Sequence, residues 1–253
     1  MENATRFAIY ASSSPEEAGE LASRFARDGE PVVVAAGGDG TLNAVVGGLV
    51  GTETILGILP TGTMNVFARE MNIPFDHLRR ALKVIDQGNV QEVDLFEVNG
   101  TPCVQMAGGG FEAQVIEETS SEANRRLGPL AYLLSAVKVL GERPPRMTLR
   151  FEEGHEAHGA CVLLGNGALY GGQFRLFRKA DNADDLLDVL VLEAHLVDLV
   201  ALPGLAADGE FALPLAVAPL GVRVADALHA EAEQGFEFEI AAFALAVHLP
   251  DHG

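Results

Sequence analysis

The chain has 253 residues, of which 48% are hydrophobic, and a formal net charge of −19 at pH 7. This hydrophobic content excludes wholesale disorder, and the length allows one large domain or two small ones. The strong negative charge argues against nucleic acid as the main partner, since phosphate backbones are bound by Lys and Arg. The most apolar stretch, residues 211–222, is too short to span a bilayer and contains two prolines. We therefore expect a soluble protein that contacts membranes at most peripherally. Cys103 and Cys161 both lie in apolar runs and are most simply buried thiols of a reduced, cytoplasmic protein.

Strand and helix patterns alternate through the first third of the sequence. Apolar runs predict strands at Phe7–Tyr10, Val32–Ala36 and Thr54–Leu59, of which the second should be buried on both faces. Amphipathic spacing and helix-start residues predict four helices, at residues 14–29, from Thr41 through Leu49, at Asn65–Met71 and at Phe75–Gln87. This β-α-β-α order predicts a parallel sheet.

Three glycines surround a single charged residue at the end of the second predicted strand. Gly37, Gly38 and Gly40 flank Asp39, and Thr41 is placed to cap the following helix. A strand, a glycine turn and a helix N-terminus together aim backbone N–H groups and a positive dipole at an anion. The alternative is a tight turn that uses glycine for its dihedral angles alone. We favour phosphate binding, because three glycines exceed what a turn needs. Asp39 is then a candidate contact for Mg²⁺ or phosphate, its alternative role being a charge at the helix N-terminus.

A second glycine turn follows the next strand, in the sequence Pro60-Thr61-Gly62-Thr63-Met64-Asn65. Gly62 permits close approach of a ligand to the backbone, and Thr63 is placed to cap the next helix. Turns that follow neighbouring parallel strands lie at the same edge of a sheet, where ligands bind in open α/β folds. We therefore expect the two glycine turns to lie close together.

The pattern changes after residue 91, and we divide the chain there into an α/β domain (1–91) and a mostly β domain (92–253). Val93–Val98 and Pro102–Ala107 are predicted to pair around the turn Asn99-Gly100. A helix is predicted at Glu122–Leu140. The remaining chain is predicted to form short strands, at Met147–Phe151, Ala160–Asn166, Leu186–Leu192, Val222–His229 and Phe236–Leu249.

Four aspartates lie close together in the sequence KADNADDLLD, at positions 181, 184, 185 and 188. Carboxylates in a turn are hard oxygen ligands, which suit Mg²⁺ or Ca²⁺. A solvated acidic loop that precedes a strand explains the same residues equally well. Both interpretations stay open from the sequence.

The paired blocks Gly37–Asn43 and Pro60–Ala68 resemble the diacylglycerol kinase catalytic domain, and most closely that of the bacterial lipid kinases related to sphingosine and ceramide kinases. The resemblance covers nearly the whole chain. It implies an α/β nucleotide-binding domain with a parallel sheet, NAD kinase-like and truncated by its first βα unit, followed by a C-terminal all-β sandwich domain that receives the lipid.

The resemblance also implies roles for individual residues. The phosphates of ATP would be held by Gly37, Gly38, Asp39, Gly40, Thr41, Asn43 and Thr63, and Ser12 stands where such enzymes often carry a threonine that contacts the nucleotide. A metal site, for Mg²⁺ or Ca²⁺, would use Asp184 with backbone groups of Asp181 and Leu186. Glu233 matches the glutamate proposed as the general base, although the family's Asp-Gly-Glu is Glu231-Ala232-Glu233 here.

We therefore predict an ATP-dependent, Mg²⁺-requiring kinase that phosphorylates the hydroxyl of diacylglycerol or a related lipid alcohol at a membrane surface. A homodimer is left open. The first alternative is a nucleotide-binding or lipid-binding module that has lost catalysis. The second is an NAD kinase, which shares the GGDGT block but fits the PTGTMN block less well.

Overall fold

The computed structural model describes residues 7–110, 147–151, 156–192, 220–223, 228–232 and 237–248. Its helices are α1 (Pro15–Arg27), α2 (Asp39–Leu49), α3 (Val66–Glu70) and α4 (Leu78–Gln87). Its first seven strands are β1 (Val32–Gly37), β2 (Ile55–Pro60), β3 (Val90–Val98), β4 (Thr101–Cys103), β5 (Met106–Gly110), β6 (Met147–Phe151) and β7 (Glu156–Gly159). The next seven are β8 (Cys161–Gly165), β9 (Leu169–Tyr170), β10 (Phe174–Arg175), β11 (Leu186–Leu192), β12 (Leu220–Arg223), β13 (Leu228–Ala232) and β14 (Glu237–His248).

The first two strands pair in parallel, as the sequence predicts, with Val32 opposite Ile55 and Gly37 opposite Pro60. The buried face of α2 is also confirmed, since Leu42, Val45, Val46 and Leu49 all lie in the core. The prediction that β1 is buried on both faces is wrong, because only Ala35 is fully buried and Ala36 is exposed. Among the described strands β1 pairs with β2 alone, so it lies at the end of the sheet.

Residues 7–10 do not form the predicted strand. They have no regular structure, and Phe7, Ile9 and Tyr10 are exposed. The ring of Tyr10 packs instead against Phe25 of α1, with 4.7 Å between centroids. A strand needs a neighbour for its backbone hydrogen bonds, and none of the described strands pairs with this segment.

The helix predicted from Phe75 begins three residues later, at Leu78. His77 precedes it in an extended conformation, and its side chain makes no capping bond. The Phe75 ring lies outside the helix under the guanidinium of Arg69, whose Cζ is 3.7 Å from the ring centroid.

The predicted hairpin is confirmed in its turn and first strand. Asn99 (φ 51°) and Gly100 (φ 76°) both have positive φ, as a two-residue hairpin turn requires. The returning strand is shorter than expected, because β4 pairs with β3 only through Cys103. The residues after it turn away and form β5 beside β8 in another sheet.

The second half of the chain is a β-sandwich, as expected. One sheet has the order β1-β2-β14-β13-β6-β7, with β3 and β4 attached through β14, and the facing sheet has the order β12-β11-β8-β5. A core cluster joins the two sheets: Phe96, Met147 and Leu149 from the first, with Val162, Leu164, Leu187 and Val189 from the second. The predicted strand Val222–His229 is wrong as one element, since its ends belong to β12 and β13 in different sheets. The helix predicted at Glu122–Leu140 lies outside the described residues.

Strand β3 contributes to the cores of both halves. Val93 and Leu95 pack with the α/β elements, whereas Phe96 packs within the sandwich. Alternate residues of a strand face opposite sides, so one strand serves two cores. The division at residue 91 remains a prediction. None of the described helices has the length and apolarity that a membrane crossing requires.

Candidate functional site

The two glycine turns lie against each other at the carboxyl edge of the parallel strands. The Thr61 N–H donates to the carbonyl of Gly37 over 2.9 Å, which continues the strand pairing into the turns. A Cβ atom on Gly38 would lie 3.2 Å from the Cα of Gly62, and a Cβ on Gly62 would overlap the Cα of Gly38. Glycine at both positions is therefore needed for the turns to touch, and the expectation that they lie together is confirmed.

Asn65 closes the second turn and begins α3. It has a left-handed backbone (φ 47°, ψ 51°) and is almost fully buried. Its Oδ1 accepts from the Gly62 N–H (3.0 Å) and its Nδ2 donates to the Gly62 carbonyl (2.7 Å). The prediction that Thr63 caps this helix is wrong, because Asn65 is the N-cap residue and the Thr63 side chain is exposed. Asparagine tolerates left-handed dihedrals, which explains why it stands at this position.

Asp39 links the two turns through a hydrogen bond. Its Oδ1 accepts from the Val66 N–H at the start of α3, at 2.7 Å. The Oδ2 atom makes no hydrogen bond within the described part of the chain, so one carboxylate oxygen remains for a ligand. Asp39 therefore positions α3, a role that the sequence did not predict, while its proposed contact with Mg²⁺ or phosphate stays a prediction.

The N-terminus of α2 is open. Gly38 is the N-cap residue and brings no side chain, so the prediction that Thr41 caps the helix is wrong. Thr41 lies within the helix and packs over Gly37, where an added Cβ would be 2.5 Å from the Thr41 Cβ. A Cβ added at Gly40 would meet no atom within 4 Å. Within the described part of the chain, the N–H groups of the first turn of α2 therefore have no capping side chain and lie beside open space, which suits an anion.

Asn43 joins α2 to the hairpin through both ends of its side-chain amide. Nδ2 donates to the Pro102 carbonyl at 2.6 Å, and Oδ1 accepts from the Val104 N–H at 3.3 Å. These bonds place a hairpin next to the glycine turns. They also occupy the side chain that the resemblance assigns to the nucleotide, so any contact of Asn43 with phosphate has to accommodate them.

A cavity of about 940 Å³ lies between α1, α2 and the β3–β4 turn. This volume is in the range of small-molecule sites. Gly40 and Asn43 line one part of it, Arg24 and Arg27 line another, and three carboxylates come from α1: Glu16, Glu17 and Glu20. These carboxylates repel phosphate, so an anionic ligand is best placed beside Gly40. Ser12 precedes the Ser14 N-cap of α1 by two residues and is exposed.

Helix α3 connects the glycine turns to the sandwich. Its first N–H is held by Asp39, and its last residue, Glu70, reaches across to the other half of the molecule. Glu70 Oε2 accepts from the Leu169 N–H (2.7 Å) and from the Gln105 side chain (3.0 Å). A Cβ on Gly167 would lie 2.9 Å from this carboxylate, so glycine is needed for the approach. Five residues of helix thus span the space between the turns and the sandwich.

The acidic loop is ordered by hydrogen bonds of its own side chains. Asp181 Oδ1 accepts from the Ala183 N–H (3.2 Å), and Asp184 Oδ1 accepts from the Leu186 N–H (3.0 Å). The second bond holds the Asp184 carboxylate beside the N–H of Leu186, whereas the proposed metal ligand from Leu186 would be its carbonyl oxygen. Within the residues described, no three His, Cys, Asp or Glu side chains are grouped to hold a metal. The site implied by the resemblance uses one carboxylate and two backbone groups, and it stays a prediction.

Asp94 of β3 attaches this loop to the rest of the protein. Its Oδ2 accepts from the Asp185 N–H at 2.8 Å, and its own N–H donates to the Asn182 carbonyl at 2.8 Å. Burial raises the pKa of Asp94, and the carboxylates of Asp185 and Asp184 raise it further. Burial also raises the pKa of Asp188, with Asp184 adding to the effect. The loop therefore concentrates negative charge that a cation would relieve.

The raised pKa of Asp94 predicts a stability gain for Asp94→Asn. A raised pKa means that the ionised carboxylate costs stability in the folded state. This contribution is favourable below the ordinary aspartate pKa and is lost as the pH rises through the raised value. An asparagine can still accept the Asp185 N–H. In EDTA at pH 7 we expect the variant to unfold at a higher temperature than the wild type, and the difference to narrow as the pH falls toward 4. Asp76→Asn, an exposed aspartate, is the control. A Tm difference between Asp94→Asn and wild type that stays the same at every pH would contradict the raised pKa of Asp94.

Glu233 lies outside the described residues. It directly follows β13, in which Glu231 pairs with Glu237 at the start of β14. The parallel strands meet β14 near its other end, where Val247 pairs with Leu56. The proposed role of Glu233 as a base therefore rests on the resemblance alone.

Two family models match the chain in succession. The diacylglycerol kinase catalytic domain matches residues 1–98, and the YegS C-terminal NAD kinase beta sandwich-like domain matches residues 105–226. The resemblance seen in the sequence is thus confirmed by a match to the diacylglycerol kinase catalytic domain family over the first 98 residues. The first match contains both glycine turns and Asp94, and the second contains the acidic loop. The elements that the geometry brings together are thus spread over both family domains.

Named relatives agree with this family assignment. The chain is 37% identical to the probable lipid kinase YegS of Salmonella newport (strain SL254) over 172 residues, which are 65% of this chain and 57% of the relative. It is 32% identical to the diacylglycerol kinase of Bacillus subtilis (strain 168) over 187 residues, which are 71% of this chain and 61% of the relative. The matches thus span less than two thirds of these relatives.

Solved structures of the family share the fold. A putative diacylglycerol kinase from Bacillus anthracis str. Sterne superposes with a TM-score of 0.74 at 19% identity, covering 94% of this chain and 84% of that one. A second structure of a putative diacylglycerol kinase from the same organism gives a TM-score of 0.72, again at 19% identity, covering 96% and 85%. The chain therefore shares with these structures an α/β domain followed by a β-sandwich, as the sequence predicts.

Proposed function

We propose that this protein is an ATP-dependent lipid kinase that phosphorylates the hydroxyl of diacylglycerol or a related lipid alcohol. The observation that carries the proposal is the pair of touching glycine turns beside the open N-terminus of α2. The match to the diacylglycerol kinase catalytic domain and the names of the relatives support the reaction class. The acceptor remains a class rather than one molecule, since acyl chains are bound by interchangeable apolar side chains.

Transfer of the γ-phosphoryl group needs positioning and charge stabilisation more than covalent help from the protein. The acceptor oxygen bonds to the γ-phosphorus, the bond from that phosphorus to the bridging oxygen breaks, and ADP leaves. The N–H groups at the start of α2, with Thr41 and Thr63, would hold the phosphates. The hydroxyl proton passes to a general base, which we assign to Glu233.

The free Oδ2 atom of Asp39 is a hard oxygen donor next to the proposed phosphate site, and it fits Mg²⁺. When bound, the ion would neutralise charge that develops on the phosphates. Asp39 therefore has two roles in this proposal. One oxygen fixes the start of α3, and the other would bind the ion.

A transfer assay tests the proposal directly. Radiolabelled ATP is offered with a panel of lipid alcohols, including diacylglycerol, ceramide and sphingosine, and with NAD as a separate acceptor. We expect a labelled lipid product. Labelled NADP as the only product would replace the proposal with an NAD kinase. Nucleotide binding without any product would indicate a module that has lost catalysis.

We also propose a structural cation, Mg²⁺ or Ca²⁺, in the acidic loop, held by Asp184 with backbone groups of Asp181 and Leu186. Calorimetry should show divalent binding by the wild type and its loss in Asp184→Asn. Asp181→Asn is the matched control, because that residue contributes through its backbone and should keep its affinity. Equal binding by all three proteins would remove Asp184 from the site.

A further inference from the structure

Helix α4 and the short segment before it expose large apolar side chains. Phe75 is 43% exposed, Leu78 is 48% exposed and Leu82 is 39% exposed. Leu78 and Leu82 are four residues apart and therefore neighbours on the helix surface. Ala81 and Val84 of the same helix are buried, so their side of α4 is the one that packs on the protein. The exposed apolar residues thus lie outside the core and face solvent.

Basic side chains accompany these apolar ones. Arg79, Arg80 and Lys83 are exposed on α4, and Lys83 is one of only three lysines in the chain. Residues 69–83 contain four basic and two acidic side chains, whereas the rest of the chain contains thirteen basic and thirty-four acidic ones. Two acids adjoin this face, namely Asp76, which lies 3.8 Å from His77, and Asp86 in the last turn. The segment is a local positive region on a strongly negative protein.

The same segment is attached to the second glycine turn. Arg69 stacks on the Phe75 ring and donates from Nε to the Met64 carbonyl at 2.6 Å. Met64 belongs to that turn. The Phe75 end of the exposed face is therefore held next to the proposed phosphate site, where a lipid acceptor has to arrive.

We propose that this surface, which we call the α4 face (Phe75, Leu78, Leu82, Arg79, Arg80 and Lys83), docks the protein on an anionic lipid bilayer. Apolar side chains flanked by Lys and Arg are the combination by which interfacial helices bind anionic membranes. The proposal deepens the proposed function, since it names the surface at which a lipid substrate is met. A dimer formed by the α4 faces of two copies is disfavoured, because its symmetry would bring two sets of basic side chains together.

The total charge of the protein does not prevent this docking at physiological salt. The Debye length is about 8 Å at 0.15 M ionic strength, so acidic groups on distant faces are screened from the bilayer. The local charge of the α4 face then decides the interaction. At low salt the repulsion from the remaining carboxylates reaches further and opposes binding.

Vesicle co-sedimentation of the full chain at 0.15 M salt tests the proposal. We expect binding to phosphatidylcholine vesicles that contain phosphatidylglycerol, and weaker binding to pure phosphatidylcholine. Arg79→Glu/Arg80→Glu should lower the affinity for the anionic vesicles about 30-fold or more, from the usual contribution of each basic residue near such a surface. Leu78→Ser/Leu82→Ser should lower it about tenfold or more on both kinds of vesicle.

Matched variants on another helix provide the control. Arg24 and Arg27 are exposed on α1, so Arg24→Glu/Arg27→Glu changes the same number of charges and should bind vesicles as the wild type does. Ile9→Ser removes an apolar side chain that is 93% exposed elsewhere and should also have little effect. Thermal unfolding of each variant establishes that it is folded.

Three results would overturn the docking surface: wild type that does not bind anionic vesicles, α4 variants that bind as well as the wild type, or self-association in sedimentation velocity that the α4 variants abolish. Turnover of a short-chain, water-soluble diacylglycerol separates this inference from the kinase proposal. The α4 variants should keep that turnover within about twofold. Vesicle binding without turnover of any lipid would reject the kinase and leave the docking surface standing.

Discussion

Gly40→Asp is expected to abolish nucleotide binding while leaving the protein folded. The added side chain meets open space, so the substitution creates no clash. An acid in the first turn of α2 also interacts favourably with the helix dipole. A bound phosphate would lie next to the new carboxylate, and two unit charges about 4 Å apart near a protein surface repel by about 4 kcal/mol. That repulsion weakens binding about a thousandfold.

Thermal stabilisation by Mg-ATP measures this loss. A ligand at 100 times its Kd stabilises a protein by about 2.7 kcal/mol, which raises Tm by roughly 5–10 °C at this chain length. After a thousandfold loss of affinity the same ligand concentration contributes less than about 0.1 kcal/mol, and the shift disappears.

Two controls isolate the cause. Gly40→Ala adds a methyl group without charge and should keep most of the stabilisation. Gly47→Asp places the same charge on α2 about 10 Å further along, at 1.5 Å per residue, where an added Cβ has only ordinary contact with Pro102. A full Tm shift in Gly40→Asp would show that the nucleotide does not lie at this turn.

The arrangement of the glycine turns could be predicted from sequence because it depends on local rules. Buried strands followed by glycines and helices imply a parallel sheet, and parallel strands bring their carboxyl ends to one edge. The observed pairing agrees with this rule, since Gly37 and Pro60, at the carboxyl ends of β1 and β2, lie opposite each other. Helix starts were less predictable, since Thr41 and Thr63 have the right chemistry for a cap but Gly38 and Asn65 occupy the cap positions.

The contacts between the halves of the chain were not predictable from one sequence. Glu70 bonds to Leu169 across 99 residues, and Asp94 bonds to Asp185 across 91. Nothing in their local patterns distinguishes these carboxylates from surface acids. A weak signal exists for Asn166, which stands between two glycines and is fully buried. Its Nδ2 donates to the carbonyls of Asp94 and Val104, so the flanking glycines indicate a crowded backbone junction.

The strand predicted at residues 7–10, which does not form, shows how local patterns mislead. An apolar run predicts a strand from composition, yet a strand forms only where another strand completes its hydrogen bonds. Burial of β1 was overestimated for a related reason. Its sequence is typical of a central strand, but its degree of burial depends on which strands lie beside it, and β2 is its one partner among the described residues.

Glu233→Gln is expected to lower turnover by about 10²–10⁴-fold, the usual contribution of a general base, with little change in nucleotide affinity. Glutamine keeps the size of the side chain and removes its ability to take up the acceptor proton. On a continued strand Glu231 and Glu233 would project from one face, roughly 7 Å apart at ~3.3 Å per residue.

Glu231→Gln is the matched control and should cost less turnover. The backbone register sets a geometric condition on the role of Glu233. Strand β13, which Glu233 follows, pairs with the start of β14, whereas the parallel strand β2 meets β14 near its end. A base has to come within hydrogen-bond reach of the acceptor hydroxyl. The role of Glu233 therefore requires that the start of β14 lies near the glycine turns. Wild-type turnover in Glu233→Gln, with unchanged Mg-ATP stabilisation, would remove this residue from the mechanism and direct the search for the base to side chains nearer the turns, Asp39 first.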